Sequence, residues 1–372
     1  MFDCIIVGAG PAGGAAAYHL AKRGRSVLVI EKESLPRKKA CSGGVSPAIA
    51  QWFDFDFTPA IALKVTKSRY TWKLGDPVEA ELPEPMWMVN RSVFDHFIVQ
   101  QAQSQGAEIK DRTEVKGIEF KSDRWQVNTN GEPLTARYLI AADGAKGPMA
   151  KWLGFKEAKK RQSYLLEVPA ADNSNPLVMF EFGLVKNGSI WSFPSESGCS
   201  ISATTFRGGE PRNLDKELNE YAKQFGSAGK NQIQEHPLCL WDGERKLHAQ
   251  NAILAGETAG ILDPLSAEGI RPSIFSGVKA AEAIDAALGG AGEDALKKYT
   301  QTINEEWGAD MVWAGRLAGA FYRFPKVAYK AGVKRPTASL VMSKILCGEM
   351  RYGEIANKAI KRLSSTFLPG RG

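Results

Sequence analysis

The residues best suited to chemistry in this chain begin with Gly8-Ala9-Gly10-Pro11-Ala12-Gly13, which follows the short apolar run Asp3–Val7 directly. In a G-x-G-x-x-G turn of this kind Gly8 makes the tight bend. Gly10 lets the backbone approach a pyrophosphate, and Gly13 lets helix pack on strand. A small-residue helix is expected from Gly14 to Arg23, stopped by Gly24, with free N–H groups and a positive dipole end facing the phosphates. The next apolar run, Ser26–Ile30, closes on Glu31, 18 residues after Gly13, where a carboxylate can bond both hydroxyls of an adenosine ribose. Any loop needing glycine geometry satisfies the glycine spacing alone. Strand, helix, spacing and acid together point to a dinucleotide.

Two further clusters belong with it. Lys32 to Lys39 is a positively charged loop leading into Ala40-Cys41-Ser42-Gly43-Gly44, where adjacent glycines beside a thiol suggest close backbone approach. An ordinary loop with a buried thiol is the plainer reading. Far along the chain, Gly256-Glu257-Thr258-Ala259-Gly260 and then Gly269-Ile270 form another phosphate- or sugar-facing turn. Arg91 is a candidate phosphate ligand or a surface arginine, and Ser92-Val93-Phe94-Asp95 reads as a capping box that makes Asp95 a cap. The cysteines (Cys4, Cys41, Cys199, Cys239, Cys347) are scattered without a C-x-x-C pair, as suits a reducing, cytoplasmic compartment. Neither they nor the four histidines show metal-ligand spacing, and no G-x-S-x-G occurs.

Elements must bring these clusters together. Residues 61–88 read as extended and irregular, broken by Pro77, Pro83 and Pro85; a helix runs from near Ser92 to Gly106. Strands at 114–120, 125–129 and 134–142 lead to Ala142-Asp143-Gly144, as in an antiparallel layer returning to a parallel sheet. From 163 to 206 the pattern is β, with a turn at Asn187-Gly188; a helix at 214–225 and a strand at Leu238–Trp241 follow. Asn251–Ala255 is a buried strand before a helix that passes through Ser276-Gly277 to Leu288. Further helices are expected at Ala295–Trp307, Met311–Tyr322 and near Tyr352–Leu363. The class is α/β: a Rossmann-like dinucleotide domain (1–60, 89–160 and 246–295), an inserted antiparallel sheet domain (61–88 and 161–245) and a basic helical region (296–372).

Charge is uneven. Residues 316–372 hold twelve Lys and Arg against Glu349 and Glu354, within a chain of net charge +7. Interleaved apolar residues fit this tail to an anionic membrane surface or an acidic protein; a solvated helical extension is the bland alternative. Nucleic acid is disfavoured because no recognition motif accompanies the charge. No apolar run is long enough to span a bilayer, and the N-terminal run is too short and glycine-broken for a signal peptide.

The order of these motifs resembles the FAD-dependent geranylgeranyl reductase family, in the p-hydroxybenzoate-hydroxylase-like branch of FAD oxidoreductases. It rests on the glycine loop with Glu31, Arg91-x-x-Phe94-Asp95, Ala142-Asp143-Gly144, and Gly256-Glu257…Pro264…Glu268-Gly269-Ile270. The Lys39–Gly44 loop is similar to the cysteine-glycine loop of the reductases. Ala259-Gly260 stands where hydroxylases usually have Ala-His. The resemblance implies that Gly8, Gly10, Ala12 and Gly13 hold the FAD pyrophosphate and Glu31 its adenosine ribose, with Lys32 and Asp143 also binding the cofactor. Val115 would lie near the adenine, Arg91 at the phosphate or ribityl chain, and Glu257 at the ribityl chain. Gly269 and Ile270 would present N–H groups to the flavin, with Cys41, Gly43 and Gly44 on its other side. Trp191 and Phe193 would wall the substrate. Two positions depart: Glu257 replaces the usual Asp, and Ser189 replaces the tyrosine of Tyr-x-Trp-x-Phe-Pro.

The implied reaction saturates C=C bonds of a prenyl lipid, with Cys41 as the candidate proton donor and NAD(P)H or a ferredoxin as electron source. No second G-x-G-x-x-G is present to bind NAD(P)H. A flavin monooxygenase or halogenase, a lycopene-cyclase-like non-redox flavoprotein and a non-catalytic prenyl-lipid escort are the alternatives. Gly260 speaks against the first, and the intact loop with Glu31 against the last.

Overall fold

The computed structural model describes residues 1–169, 175–208, 213–227 and 232–356. Strand Phe2–Val7 lies at the centre of the first sheet, paired in parallel with Val27–Ile30 on one side and Leu134–Ala141 on the other. Glu108–Lys110 and Ala252–Leu254 extend it in parallel at either side. Each of the four residues Val27–Ile30 is buried, as a parallel strand covered on both faces requires. The antiparallel hairpin Val115–Lys121/Arg124–Thr129 joins the same sheet along Leu134–Ala141.

Helix Pro11–Lys22 is almost wholly buried, and its run of alanines explains how. Small side chains let helices Arg91–Ser104 and Ile270–Ala286 pack close to it. A Cβ on Gly277 would meet the Ala12 carbonyl oxygen at 2.2 Å, and one on Gly14 would meet Ile98 at 2.9 Å.

The second sheet runs in the order Ile233–Cys239, Lys160–Val168, Gly198–Thr205, Gly188–Ser195, Val178–Phe182, Leu63–Trp72, Gly75–Met88, Gly44–Val45. The irregular reading of 61–88 is corrected here. Leu63–Trp72 and Gly75–Met88 are two long antiparallel strands with bulges between Val65 and Lys67 and between Tyr70 and Trp72. Pro77, Pro83 and Pro85 are tolerated because the far side of that strand pairs only at Trp87 and Met88. The strand expected at Leu238–Trp241 begins earlier, at Ile233.

After Ile270–Ala286 the chain breaks at Gly290 (φ +110°) and continues as helices Gly292–Thr302 and Ala309–Phe321. Helical segments starting at Pro325 and Pro336, the latter ending at Leu346, were not anticipated. They cover the second sheet: the Tyr329 hydroxyl donates to the carbonyls of Tyr70 and Asp76, at 3.1 and 2.6 Å. The helix expected near Tyr352–Leu363 starts at Tyr352, and its part beyond 356 lies outside the described residues. Among the described residues no helix is long and apolar enough to cross a membrane.

Candidate active site

The glycine loop lies at the carboxyl end of strand Phe2–Val7, and close approach dictates its sequence. Gly8 has φ +107°, and a Cβ there would meet the Ala142 carbonyl oxygen at 2.3 Å; one on Gly13 would meet the Gly8 oxygen at 1.9 Å. A Cβ on Gly10 would find only the Arg37 guanidinium within 4 Å, at 3.7 Å, so that position faces open space. This space belongs to a cavity of about 700 Å³. Its lining runs from Glu31, Lys32 and Val115, past Gly10, Ala12, Arg91 and Asp143, to Glu257, Gly269 and Ile270. It then continues past Cys41, Gly43 and Gly44 to an apolar end formed by Met86, Phe180, Trp191, Phe193 and Leu346.

Beneath the loop runs a buried chain of alternating charges. Glu31 accepts from the Ala9 and Glu33 N–H groups, each at 3.1 Å, and pairs with Arg37 Nε at 3.0 Å. Arg37 Nη1 reaches Asp95 at 3.1 Å, and Asp95 receives Arg91 Nε and Nη2 at 2.7 and 2.8 Å. Two carboxylates and two guanidinium groups balance, which is what makes their burial affordable. The capping box is therefore corrected. Asn90 caps the helix, accepting from Ser92 N–H at 3.0 Å, and Asp95 is a buried ion-pair partner, 1% exposed. Burial opposes the Arg91 charge, but Asp95 and then the Cys41 sulfur beside it hold the guanidinium firmly protonated.

The cysteine loop is bolted to the second sheet. Cys41 Sγ accepts from Gly43 N–H at 3.4 Å. Ser42 shares a 2.7 Å hydrogen bond with Ser202 and accepts from Trp191 Nε1 at 2.8 Å. A Cβ on Gly44 would stand 2.5 Å from the Phe193 ring, so this glycine and Phe193 are matched surfaces. Ser189 does not line the cavity; it accepts the Tyr322 hydroxyl at 3.2 Å in a buried contact.

The third turn is pinned by serines and threonine. Gly256 N–H donates to Ser276 Oγ at 2.8 Å, and that hydroxyl donates to the Ser273 carbonyl at 2.9 Å. Thr258 donates to Asp143 at 3.0 Å and accepts from Gly144 N–H at 2.8 Å. Asp143 also accepts from Met149 N–H at 2.9 Å, while burial pushes its carboxyl up. Glu257 has Lys39 Nζ at 3.9 Å and His236 Nε2 at 3.5 Å. Burial works against its charge, yet His236 and Lys39 outweigh it and hold its carboxyl below the ordinary value. Desolvation conversely lowers the Lys39 pKa, with Glu257 opposing.

The FAD dependent oxidoreductase family model matches residues 3–84, and the FAD binding domain model matches residues 59–200. An uncharacterised protein of Methanosarcina barkeri is 30% identical over 295 residues, covering 77% of this chain and 75% of that one. Digeranylgeranylglycerophospholipid reductase 1 of Methanothermobacter thermautotrophicus is 29% identical over 338 residues, covering 83% and 84%. The chain belongs to the FAD-dependent geranylgeranyl reductase family. It is an FAD-dependent reductase. Among solved structures, the geranylgeranyl bacteriochlorophyll reductase-like protein of Thermoplasma acidophilum superposes with a TM-score of 0.77 at 21% identity, covering 86% of this chain and 87% of that one.

The cavity suits this family's cofactor: open space over Gly10 that a larger side chain would enter, the Glu31 carboxylate in its lining, and a helix N-terminus at Gly269-Ile270. Among the polar lining residues not expected as site residues are Arg37, Lys39, Ser42 and His236. Arg37, Lys39 and Ser42 lay in stretches whose charge or glycines had drawn notice, without a pattern to single them out. His236 had no local signal; it reaches Glu257 only because Ile233–Cys239 pairs along Lys160–Val168.

Proposed function

We propose that this reductase saturates C=C bonds of a geranylgeranyl-type prenyl lipid. The observation that carries the reading is the continuity of the cavity, from the glycine loop past Cys41 to the apolar walls of Phe180, Trp191, Phe193 and Leu346. A polyprenyl chain offers apolar surface and no polar handle, so such walls bind it by burial alone. Relatives named as reductases of digeranylgeranylglycerophospholipid and geranylgeranyl diphosphate support the substrate class.

In this reading residues 1–60, 89–160 and 246–295 form the FAD-binding unit. Residues 61–88 and 161–245 form the substrate sheet, and 296–372 a basic helical region. Gly8, Gly10, Ala12 and Gly13 hold the pyrophosphate; Glu31 and Lys32 hold the ribose, with Val115 toward the adenine. Arg91, Asp143 and Glu257 serve the phosphate and ribityl chain, Gly269 and Ile270 the flavin edge, and Gly43 and Gly44 its opposite side. FAD, when bound and reduced, would supply the hydride for one alkene carbon. The chain supplies the rest: N–H groups at Gly269 and Ile270 for developing negative charge, apolar walls that exclude water, and the Cys41 thiol as proton source for the other carbon. Electrons come from NAD(P)H or a ferredoxin. A bilayer-borne substrate also calls for peripheral membrane contact by the C-terminal region.

The test is anaerobic. Dithionite-reduced holoenzyme is mixed with geranylgeranyl diphosphate and a panel of prenyl lipids, and products are read by mass spectrometry. Gain of hydrogen pairs is expected. Products that form only with oxygen would make the chain a monooxygenase, and unchanged mass across the panel would remove the reductase reading of its substrate.

A further inference from the structure

Among the described residues eight large hydrophobic side chains are exposed, and four of them (Val312, Phe324, Val327, Leu340) fall between residues 312 and 340. Phe324 and Val327 are 61% and 65% exposed, more than any of the others except Met1. The same stretch is one-sided in charge: between Met311 and Gly348 the sequence has seven cations and no acid. Arg323 lies over the Phe324 ring at 5.5 Å and Arg316 over Trp313 at 4.7 Å. Lys334 pairs with Asp76. Lys326 and Lys330 are exposed, with no carboxylate within 4 Å among the described residues.

The packing fixes which way this segment faces. Tyr329 and Val333 are buried against the second sheet, while Phe324, Lys326, Val327 and Lys330 point outward. The same helical layer ends at Leu346, which lines the apolar end of the cavity. Its end is tied down where Ser46 Oγ donates to the Cys347 carbonyl at 2.7 Å.

We propose that the outer face of residues 312–340, led by Phe324 and Val327 and flanked by Arg323, Lys326 and Lys330, docks on an anionic lipid bilayer. This inference rests on the prenyl-lipid reading for its purpose. Charge selects the occupant. A second copy would bring like charge to like charge, and residues 357–372 add four cations and no acid, so neither complements the patch. A ferredoxin must come close to the cofactor, yet no residue from 311 to 345 lines the cavity. An anionic bilayer accepts both components: apolar tips enter the interface while lysines and arginines stay at the headgroups.

The experiment floats the holoenzyme with vesicles free of prenyl substrate, made of phosphatidylcholine with or without phosphatidylglycerol. Binding is expected only with phosphatidylglycerol and should fall steeply with salt. Lys326→Gln/Lys330→Gln should bind about 30-fold more weakly, at roughly fivefold per lost charge. Phe324→Ala/Val327→Ala should lose at least about tenfold by removing buried apolar area. Both variants should keep wild-type turnover on detergent-solubilised geranylgeranyl diphosphate. Flotation is read without substrate, so a failed prenyl-lipid reading leaves it standing, whereas a failed docking proposal leaves turnover intact. The proposal is overturned if phosphatidylglycerol makes no difference or if the variants float like wild type. It is also overturned if the apolar variant instead abolishes self-association on a sizing column, or if the lysine variant slows only reduction by a ferredoxin.

Discussion

Cys41 and Arg91 both line the cavity, with the sulfur of one beside the guanidinium of the other. Arg91 is already committed to Asp95 through two hydrogen bonds, so removing the sulfur leaves the buried charges paired and the loop still held by Ser42. Cys41→Ala is therefore expected to fold and retain FAD. Loss of a general acid slows proton transfer by about 10²–10⁴-fold, so alkene reduction should fall by that order while flavin absorbance stays. Unchanged turnover in a stopped-flow oxidation of the reduced flavin by substrate would take Cys41 out of the proton step. Removing one member of the chain Glu31–Arg37–Asp95–Arg91 has a different consequence, since it strands a buried charge.

At the scale of elements, the contact between helices Pro11–Lys22 and Ile270–Ala286 holds the first and third turns in register. Gly277 sets their separation, and Ser276, its neighbour, fixes Gly256. Gly277→Ala would drive a methyl group into the Ala12 carbonyl, which is backbone and can yield only by moving the helix. A cost of at least about 3 kcal/mol is expected, with weakened FAD binding. Gly319→Ala is the control: it lies in helix Ala309–Phe321 with nothing within 4 Å of its Cβ position. It should be neutral or stabilising by up to about 1 kcal/mol, since alanine favours helix. Thermal melts of the two variants, with FAD titrations, compare them directly. Equal melting temperatures would refute the close-packing account.

The whole molecule responds to acid through a group remote from the cavity. His19, on the buried helix, contacts Tyr18 and Phe53, and desolvation lowers its pKa from 6.5 to about 4; Arg23 and Lys22 push the same way, against the Trp52 backbone carbonyl and Glu282. Between those values the unfolded chain binds the proton that the folded chain refuses, so this stabilisation is present above pH 6.5 and is lost as pH falls toward 4. Solvent still reaches the ring, so the effect should be on the order of 2 kcal/mol rather than the full shift. His19→Asn should flatten the fall in melting temperature across this window whatever it does to stability at neutral pH. An unaltered slope would place the acid sensitivity elsewhere, first at His248, whose pKa burial also lowers from 6.5.

Local patterns by themselves determined the dinucleotide turn, Glu31, the buried strands of the first sheet and the uneven charge. Each depends on residues a few positions apart, whose conformation their own sterics decide. Ser92-x-x-Asp95 shows the limit of such patterns: it fits a cap, but Arg91 of the same turn and Arg37 from a distant loop claim the aspartate, and Asn90 caps instead. The strands within 61–88 were hidden because bulges break their alternation and Leu63–Trp72 finds its second partner only at Val178–Phe182, while the prolines are harmless only on a strand side that is barely paired. Tertiary structure alone decided that His236 and Lys39 flank Glu257, that Trp191 holds the Cys41 loop through Ser42, and that Tyr329 docks on the Tyr70 carbonyl. These pairings join residues tens to hundreds of positions apart, and only closure of the two sheets and their helices brings such residues into contact.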